Sequence, residues 1–354
     1  MIREIADRGS ARMVYAAFGE TMLRLAAPGH ERLLQSPAFQ ASFGGGESNV
    51  LASLALHGLR TRFLGALPDN DIGRAALGVL AGCGVDVSRI ILKKNSRMGI
   101  YFLEKGAGQR PSKVIYDRAH SAVSELEAGE VDWHAALADC GWFHITGITP
   151  ALSAGAAERS IEAVKAAREM GCVVSCDLNY RGKLWNYGVP APRVMARIAA
   201  ESDIVIANEE DCQKALGIGR DLDPGKGEID RARYGELALG VMRAYPNLRI
   251  AAITLRESVS ASHNRWSACL CDGAGTVFSR VYDIAHIVDR VGSGDAFSAG
   301  LICGLSTLGT SGEALEYAVA ASCLAHSIEG DVNLARPDEI RALLQGDATG
   351  RIRR

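Results

Sequence analysis

Asp289-Arg290-Val291-Gly292-Ser293-Gly294-Asp295-Ala296-Phe297 decides the reading of this chain. Two glycines precede an acid, and the acid opens an uncharged stretch, Ala296 to Gly312, rich in small residues. A glycine turn running into a helix gathers unpaired backbone N–H groups at one point, and the helix dipole adds partial positive charge there. Such a point attracts anions. The acid Asp295 has a use in that place if it takes a proton from a hydroxyl while the amides hold the phosphoryl group that the hydroxyl attacks. Taken alone, Gly-Ser-Gly-Asp is more often a plain helix start, because Ser and Asp cap helices and Gly suits the turn.

Composition narrows the rest. The 354 residues can bury a large core, with 48% apolar and 23% charged residues and a formal charge of −2. No basic stripe argues for nucleic acid. Residues 1–13 mix charges and lack the apolar run of a signal peptide. Ala296–Gly312 is short for a membrane span and reads as a buried helix. The nine cysteines include no C-x-x-C pair, so reduced thiols in a cytoplasmic protein are expected. Cys172 and Cys176 read as core filler, and Cys269 and Cys271 as neighbours on one strand face.

Apolar strands alternate with helical stretches. The strand candidates are Met13–Phe18, Thr61–Leu67, Trp142–Gly147, Val173–Asp177, Ile204–Ala207 and Arg249–Thr254. The helix candidates are Glu47–His57, Ile72–Cys83, Ala154–Met170, Arg193–Ala200 and Gly312–Ile328. This alternation predicts an α/β fold, a mostly parallel central sheet with helices on both faces. Residues 20–43 and 98–118 break the rhythm. Each reads as an antiparallel strand pair, and together they are expected to form a small β-sheet lid over a ligand. The expectation is a single domain over 12–345, with loose tails at 1–11 and 346–354.

The Asp289–Phe297 segment resembles the C-terminal signature of the ribokinase-like (PfkB) carbohydrate kinases, Asp-x-x-Gly-x-Gly-Asp followed by a small residue and Phe. The resemblance implies a ribokinase-like fold, with Asp295 as catalytic base and the amides of Gly292, Ser293 and Gly294 holding the γ-phosphate of ATP. Phe43-Gly44-Gly45-Gly46-Glu47-Ser48-Asn49 resembles the family's N-terminal signature, and it makes Gly45, Gly46 and Asn49 candidate sugar contacts. Asn208-Glu209-Glu210-Asp211 stands where the family has Asn-x-x-Glu, implying that Asn208 and Asp211 organise Mg²⁺ and its waters. Without the resemblance, that segment is an ordinary capped helix start. Thr254-Leu255-Arg256-Glu257-Ser258 lacks both glycines of the family's Thr-x-Gly-x-x-Gly turn, so Thr254 and Arg256 are expected at the nucleotide. His326 and Asn333 fall in the region of the family's adenine pocket.

Further segments are similar to the branch of that family that acts on 2-keto-3-deoxygluconate: Leu67–Asn70, Phe102–Ser112, Ile115–Arg118 and Ala314–Ser322. Tyr116 and Arg118, two apart on a strand, share a face and read as a clamp for a carboxylate, with Tyr101 on the neighbouring strand. A solvated lid face fits those two residues as well. Arg181, after the strand Val173–Asp177, stands where the ligands of open α/β sheets collect. The expected reaction is ATP-dependent phosphorylation of the sugar acid at its primary hydroxyl, with Mg²⁺ and a monovalent cation such as K⁺ as candidate cofactors. The expected assembly is a homo-oligomer, formed through the lid, with no nucleic-acid or membrane partner. A kinase of a neutral sugar, such as fructose or ribose, and a sugar-binding protein on a dead kinase scaffold stay open as rivals.

Overall fold

A computed structural model describes residues 13–219 and 230–346. The expected tails lie outside the described residues, apart from Gly346. The described residues form fifteen strands: β1 (Val14–Phe18), β2 (Met22–Ala26), β3 (Gln40–Gly44), β4 (Arg60–Pro68), β5 (Val85–Asp86), β6 (Ile90–Lys93), β7 (Ile100–Glu104), β8 (Lys113–Asp117), β9 (Cys140–Thr146), β10 (Val173–Asp177), β11 (Ile204–Ala207), β12 (Ile250–Ser260), β13 (His263–Asp272), β14 (Gly275–Phe278) and β15 (Tyr282–Ile284). The α-helices beyond one turn are α1 (Gly46–Leu56), α2 (Asp71–Gly82), α3 (Trp133–Leu137), α4 (Ala154–Glu169), α5 (Ala191–Ala199), α6 (Arg231–Ala244), α7 (Ser293–Thr307), α8 (Ser311–Ala325) and α9 (Pro337–Leu344).

The main sheet runs β14-β13-β12-β11-β10-β9-β1-β4-β5, with β15 beside β13 and β6 beside β4. From β12 to β5 all neighbours are parallel, while β13, β14 and β15 pair antiparallel at one edge. β1 and β10 are buried along their whole length, as parallel strands covered on both faces require. Side chains alternate between two cores. Ala16 and Phe18 join a core with α3, α4, α5 and α6. Tyr15 and Ala17 join another with α1, α7, α8 and α9. The nine cysteines are free thiols, and Cys172, Cys176, Cys269 and Cys271 all sit in the first core.

The two irregular segments do form antiparallel hairpins, β2–β3 and β7–β8. They join through a parallel pairing of β2 with β7, Leu23 opposite Ile100, into one four-stranded sheet ordered β3-β2-β7-β8. Two expectations need correction. The strand expected to end at Thr254 continues to Ser260, because β13 pairs with it along its length. The uncharged stretch read as one helix to Gly312 breaks at Thr307, and Thr310 caps a new helix by accepting from the Glu313 N–H (3.2 Å).

Candidate active site

The carboxyl ends of β10, β11 and β12, the start of α7 and one face of the small sheet enclose a cavity of about 700 Å³. Open α/β sheets gather their ligands at strand ends of this kind. Met22, Leu103, Tyr101, Val114 and Tyr116 supply the small-sheet wall.

At the start of α7, Gly292 is the N-cap and has φ +81°, the left-handed region that favours glycine. A Cβ on Gly292 would also lie 2.0 Å from the Asp331 carbonyl oxygen. Gly292, Ser293 and Gly294 border the cavity, and nothing crowds the Cα of Gly294. Asp295, in the first turn, is 8% exposed and borders the same space. Burial is the main cause that lifts its pKa to about 7, aided by the negative charges of Asp331 and Glu47 and opposed by Asn49 and Arg181. A carboxyl near neutrality is suited to accept a proton at neutral pH.

Asn49 holds that carboxyl directly. Its Nδ2 donates to Asp295 Oδ2 (2.7 Å), and its Oδ1 accepts from the Gly45 N–H (3.1 Å). The carboxamide expected to read a sugar hydroxyl borders the cavity with one N–H given to the acid and one acceptor site to its own turn. Gly45 allows that turn, since a Cβ there would lie 1.9 Å from the Glu20 carbonyl oxygen. Gly46 lines the cavity one residue on. Glu47, buried beneath it, ties the start of α1 to the end of β9 by accepting from the Thr146 N–H (3.0 Å) and the Thr146 and Thr149 hydroxyls (2.8 Å each).

Arg181 borders the cavity, and its one described hydrogen bond goes to the Tyr180 carbonyl (3.0 Å). Its charge acts on Asp177, Asp211 and Asp295 together. Tyr101 is buried, with its hydroxyl on Asp331 Oδ2 (2.5 Å), and its ring centroid lies 6.1 Å from that of Tyr116.

Arg118 departs from the expected clamp. It lies one residue past β8, buried, with Nε on Glu20 Oε2 (2.8 Å), and it does not border the cavity. Glu20 is itself buried where β1 hands over to the small sheet, and a carboxylate there needs a cation. Asn333 also departs from expectation. Its amide donates to Ala321 O (3.2 Å) and accepts from the Ala335 N–H (3.0 Å), away from the cavity. His326 hydrogen-bonds Ser322 O and packs at a tilt against Trp266 (ring centroids 5.7 Å apart), and burial pushes its pKa down to about 4.

Asn208 and Asp211 form a reciprocal cap, with Asn208 Oδ1 accepting from the Asp211 N–H (2.8 Å) and Asp211 Oδ2 accepting from the Asn208 N–H (3.0 Å). This is the geometry of an ordinary helix start. Both residues nevertheless border the cavity, beside Glu210 and Asp177. Asp211 Oδ1 takes the Tyr180 N–H (2.8 Å), and burial leads the causes that raise its pKa to about 6. No cluster of three or more His, Cys, Asp or Glu suited to a metal occurs among the described residues. Mg²⁺ bound mostly through water needs only one or two carboxylates, so this donor set fits it. Thr254 and Arg256, on β12, border the same end.

Reading the chain alone missed Asp177, Asn179, Asp331, Trp266 and Arg290, all of which border the cavity. Asp177 and Asn179 lay within a segment already singled out for Arg181. Asp331 follows Gly330, a positive-φ glycine (φ +103°), and that turn was the available signal.

The model of the pfkB family carbohydrate kinases matches residues 15–224. This chain belongs to the pfkB family of carbohydrate kinases. A 2-dehydro-3-deoxygalactonokinase of Haloferax volcanii is 31% identical to it, over 94% of this chain and 97% of the relative. A 2-dehydro-3-deoxygluconokinase of Thermoproteus tenax is 27% identical, over 96% of each. The crystal structure of 2-dehydro-3-deoxygluconokinase from Thermotoga maritima shares 44% identity and a TM-score of 0.87, covering 95% of this chain and 99% of that one. The pfkB fold, with its small sheet standing off a mostly parallel main sheet, is the expected one.

Proposed function

We propose that this pfkB kinase phosphorylates 2-keto-3-deoxygluconate at its primary hydroxyl, with ATP as donor. The observation that carries the reading is Asp295 at the start of α7, gripped by Asn49, with its pKa raised to about 7. In this reading Asp295 removes the hydroxyl proton, and the N–H groups of Gly292, Ser293 and Gly294 stabilise the charge on the phosphoryl group in flight. Asn208 and Asp211 would hold hydrated Mg²⁺, which supplies charge neutralisation on the ATP phosphates. Of the two arginines expected at the sugar-acid carboxylate, Arg181 is the one that borders the cavity, since Arg118 is engaged by Glu20. Tyr101 and Tyr116 would close the sugar end from the small sheet. Relatives that carry sugar-acid kinase names support this substrate class over a neutral sugar.

A monovalent cation such as K⁺ has no observed support among the described residues. The carboxylates flanking the turn, Asp289 and Asp331, already share the Arg24 guanidinium. A homodimer through the outer face of the small sheet and a cytoplasmic location complete the proposal. No helix among the described residues is long and apolar enough to cross a membrane.

One experiment tests the reaction. ADP release is followed with the gluconate-derived and galactonate-derived keto-deoxy acids, fructose and ribose, with Mg²⁺ varied. Turnover of a keto-deoxy acid well above both neutral sugars supports the proposal. A preference for fructose or ribose would overturn it, and no turnover with any of them would favour the non-catalytic reading.

A further inference from the structure

The end of the cavity built by β12 and β13 presents hydrogen-bond donors that form no ion pair among the described residues. Arg256 stands on β12 directly opposite Trp266 on β13, and both border the cavity. Arg290, from the turn before α7, borders it too. Trp266 is 5% exposed, and its indole N–H has no partner. Arg290 spends one terminal nitrogen on neutral acceptors, Ala261 O (3.0 Å), Asn264 Oδ1 (3.2 Å) and Ser260 O (3.3 Å). Its Nε is buried with no partner. The carboxylate beside it in sequence, Asp289, is engaged by Arg24. Among the described residues neither Arg256 nor Arg290 forms an ion pair. The two guanidiniums also repel each other, and after burial that repulsion is the second cause holding the Arg290 pKa below its ordinary value.

Arg290 is half-buried and Arg256 is exposed, and like charges held near each other are costly, a cost that a polyanion relieves. Of the acids bordering the cavity near this end, Glu209 is a charge neighbour of Arg256 whose pKa burial nonetheless raises, and Glu257 pairs with Arg265 (3.4 Å). The chain continues as strand from Thr254 to Ser260, with a register shift between Ser258 and Ser260, and alternate backbone amides of that run pair with β13. Side chains supply the charge at this end.

We propose that Arg256 and Arg290 form a two-guanidinium seat for the polyphosphate of a nucleoside di- or triphosphate. The pair supplies by charge what a glycine turn would supply by backbone N–H groups. The proposal rests on the kinase reading for the identity of the nucleotide, but its test does not need turnover. A seat made of two cations binds the phosphates and is indifferent to the nucleoside. It is also screened by salt, unlike a set of neutral amides.

Calorimetric titrations of ADP, adenosine and inorganic tripolyphosphate into the full chain test this, with Arg256→Gln, Arg290→Gln and Arg290→Lys beside the wild type at low and high KCl. Each Gln variant is expected to weaken ADP and tripolyphosphate roughly ten- to hundredfold, the usual cost of a charge-assisted bond. Adenosine should bind all four proteins alike, and Arg290→Lys should recover much of the loss. Wild-type ADP affinity should fall as KCl rises. Arg290 also anchors the β12–β13 hairpin, so if Arg290→Gln does not fold, Arg256→Gln decides the matter alone. Equal losses for adenosine and ADP, ADP affinity unmoved in Arg256→Gln, or wild-type affinity insensitive to salt would each overturn the seat. A wild type that binds ADP through both arginines yet phosphorylates no sugar acid keeps the seat and removes the proposed reaction. Turnover with nucleotide affinity intact in the variants does the reverse.

Discussion

Arg24 and Asp331 form a fully buried ion pair, Nη1 to Oδ1 2.5 Å, that joins the small sheet to the loop after α8. The other Arg24 terminal nitrogen holds Asp289. Asp289 in turn accepts from the Val291 N–H (3.1 Å) and the Gly330 N–H (3.3 Å), at the root of the Gly292–Gly294 turn. Arg24→Met removes the cation from two buried carboxylates at once. The expected loss is about 3–5 kcal/mol of unfolding free energy, the cost of breaking a buried pair from one side. Urea titration measures it, and adding Asp289→Asn should restore part of the loss. A change below about 1 kcal/mol in the single variant would show that water reaches this site and solvates the acids.

In the proposed reaction Asp295 acts only when ionised, and burial raises its folded pKa to about 7. The kcat/KM for sugar acid should therefore rise with pH across roughly 6 to 8, where an ordinary aspartate would give a flat profile. Asn49→Leu removes a donor that favours the charged carboxylate. The rising limb should move to higher pH and the rate at pH 7 should drop. Asp295→Asn should lower kcat by about 10²–10⁴-fold with nucleotide affinity little changed. A pH profile already level by pH 5 would disprove the raised pKa.

The same shift affects stability. An acid whose folded pKa lies above its unfolded value is more protonated when folded. Its contribution is then full below the unfolded value of 3.8 and is lost as pH climbs to about 7. Asp295→Asn escapes that loss while Asn49 keeps a carbonyl oxygen to donate to. The variant should be more stable than wild type at pH 8 and closer to it at pH 4. At about 1.4 kcal/mol per pH unit over that gap, the gain is bounded at about 4 kcal/mol. Melting both proteins at the two pH values reads the difference, and equal Tm shifts at both would count against the linkage.

Two arginines that look alike in the sequence should behave differently. Arg181→Ala should raise KM for the sugar acid about ten- to hundredfold with the fold intact. Arg118→Ala should instead lower stability, because it leaves Glu20 buried without its partner. Steady-state kinetics and thermal melts on the two variants separate these outcomes. A KM effect confined to Arg118→Ala would restore the clamp expected from strand alternation.

What the sequence revealed and what it hid follow the range of the physics. The Gly292–Asp295 turn was legible because a glycine turn before a helix is local chemistry. The strands Val173–Asp177 and Ile204–Ala207 were legible as short apolar runs, and the two hairpins as alternating patterns. The parallel pairing of Leu23 with Ile100 was hidden, since nothing local to either strand names its partner. Arg118 was misread for the same reason, because the acid that claims it lies 98 residues away. Asn49 borders the cavity, but its grip on Asp295 depends on how α1 and α7 meet, which nothing local to either helix names.

The parallel pairing of β2 with β7 also bears on the order in which the protein assembles. An isolated two-stranded ribbon is marginal in water. α1, β4, α2, β5 and β6 separate the two hairpins in the chain. Closing so long a loop costs entropy before any contact repays it. The small-sheet wall of the cavity is therefore expected to be among the last parts to form during refolding.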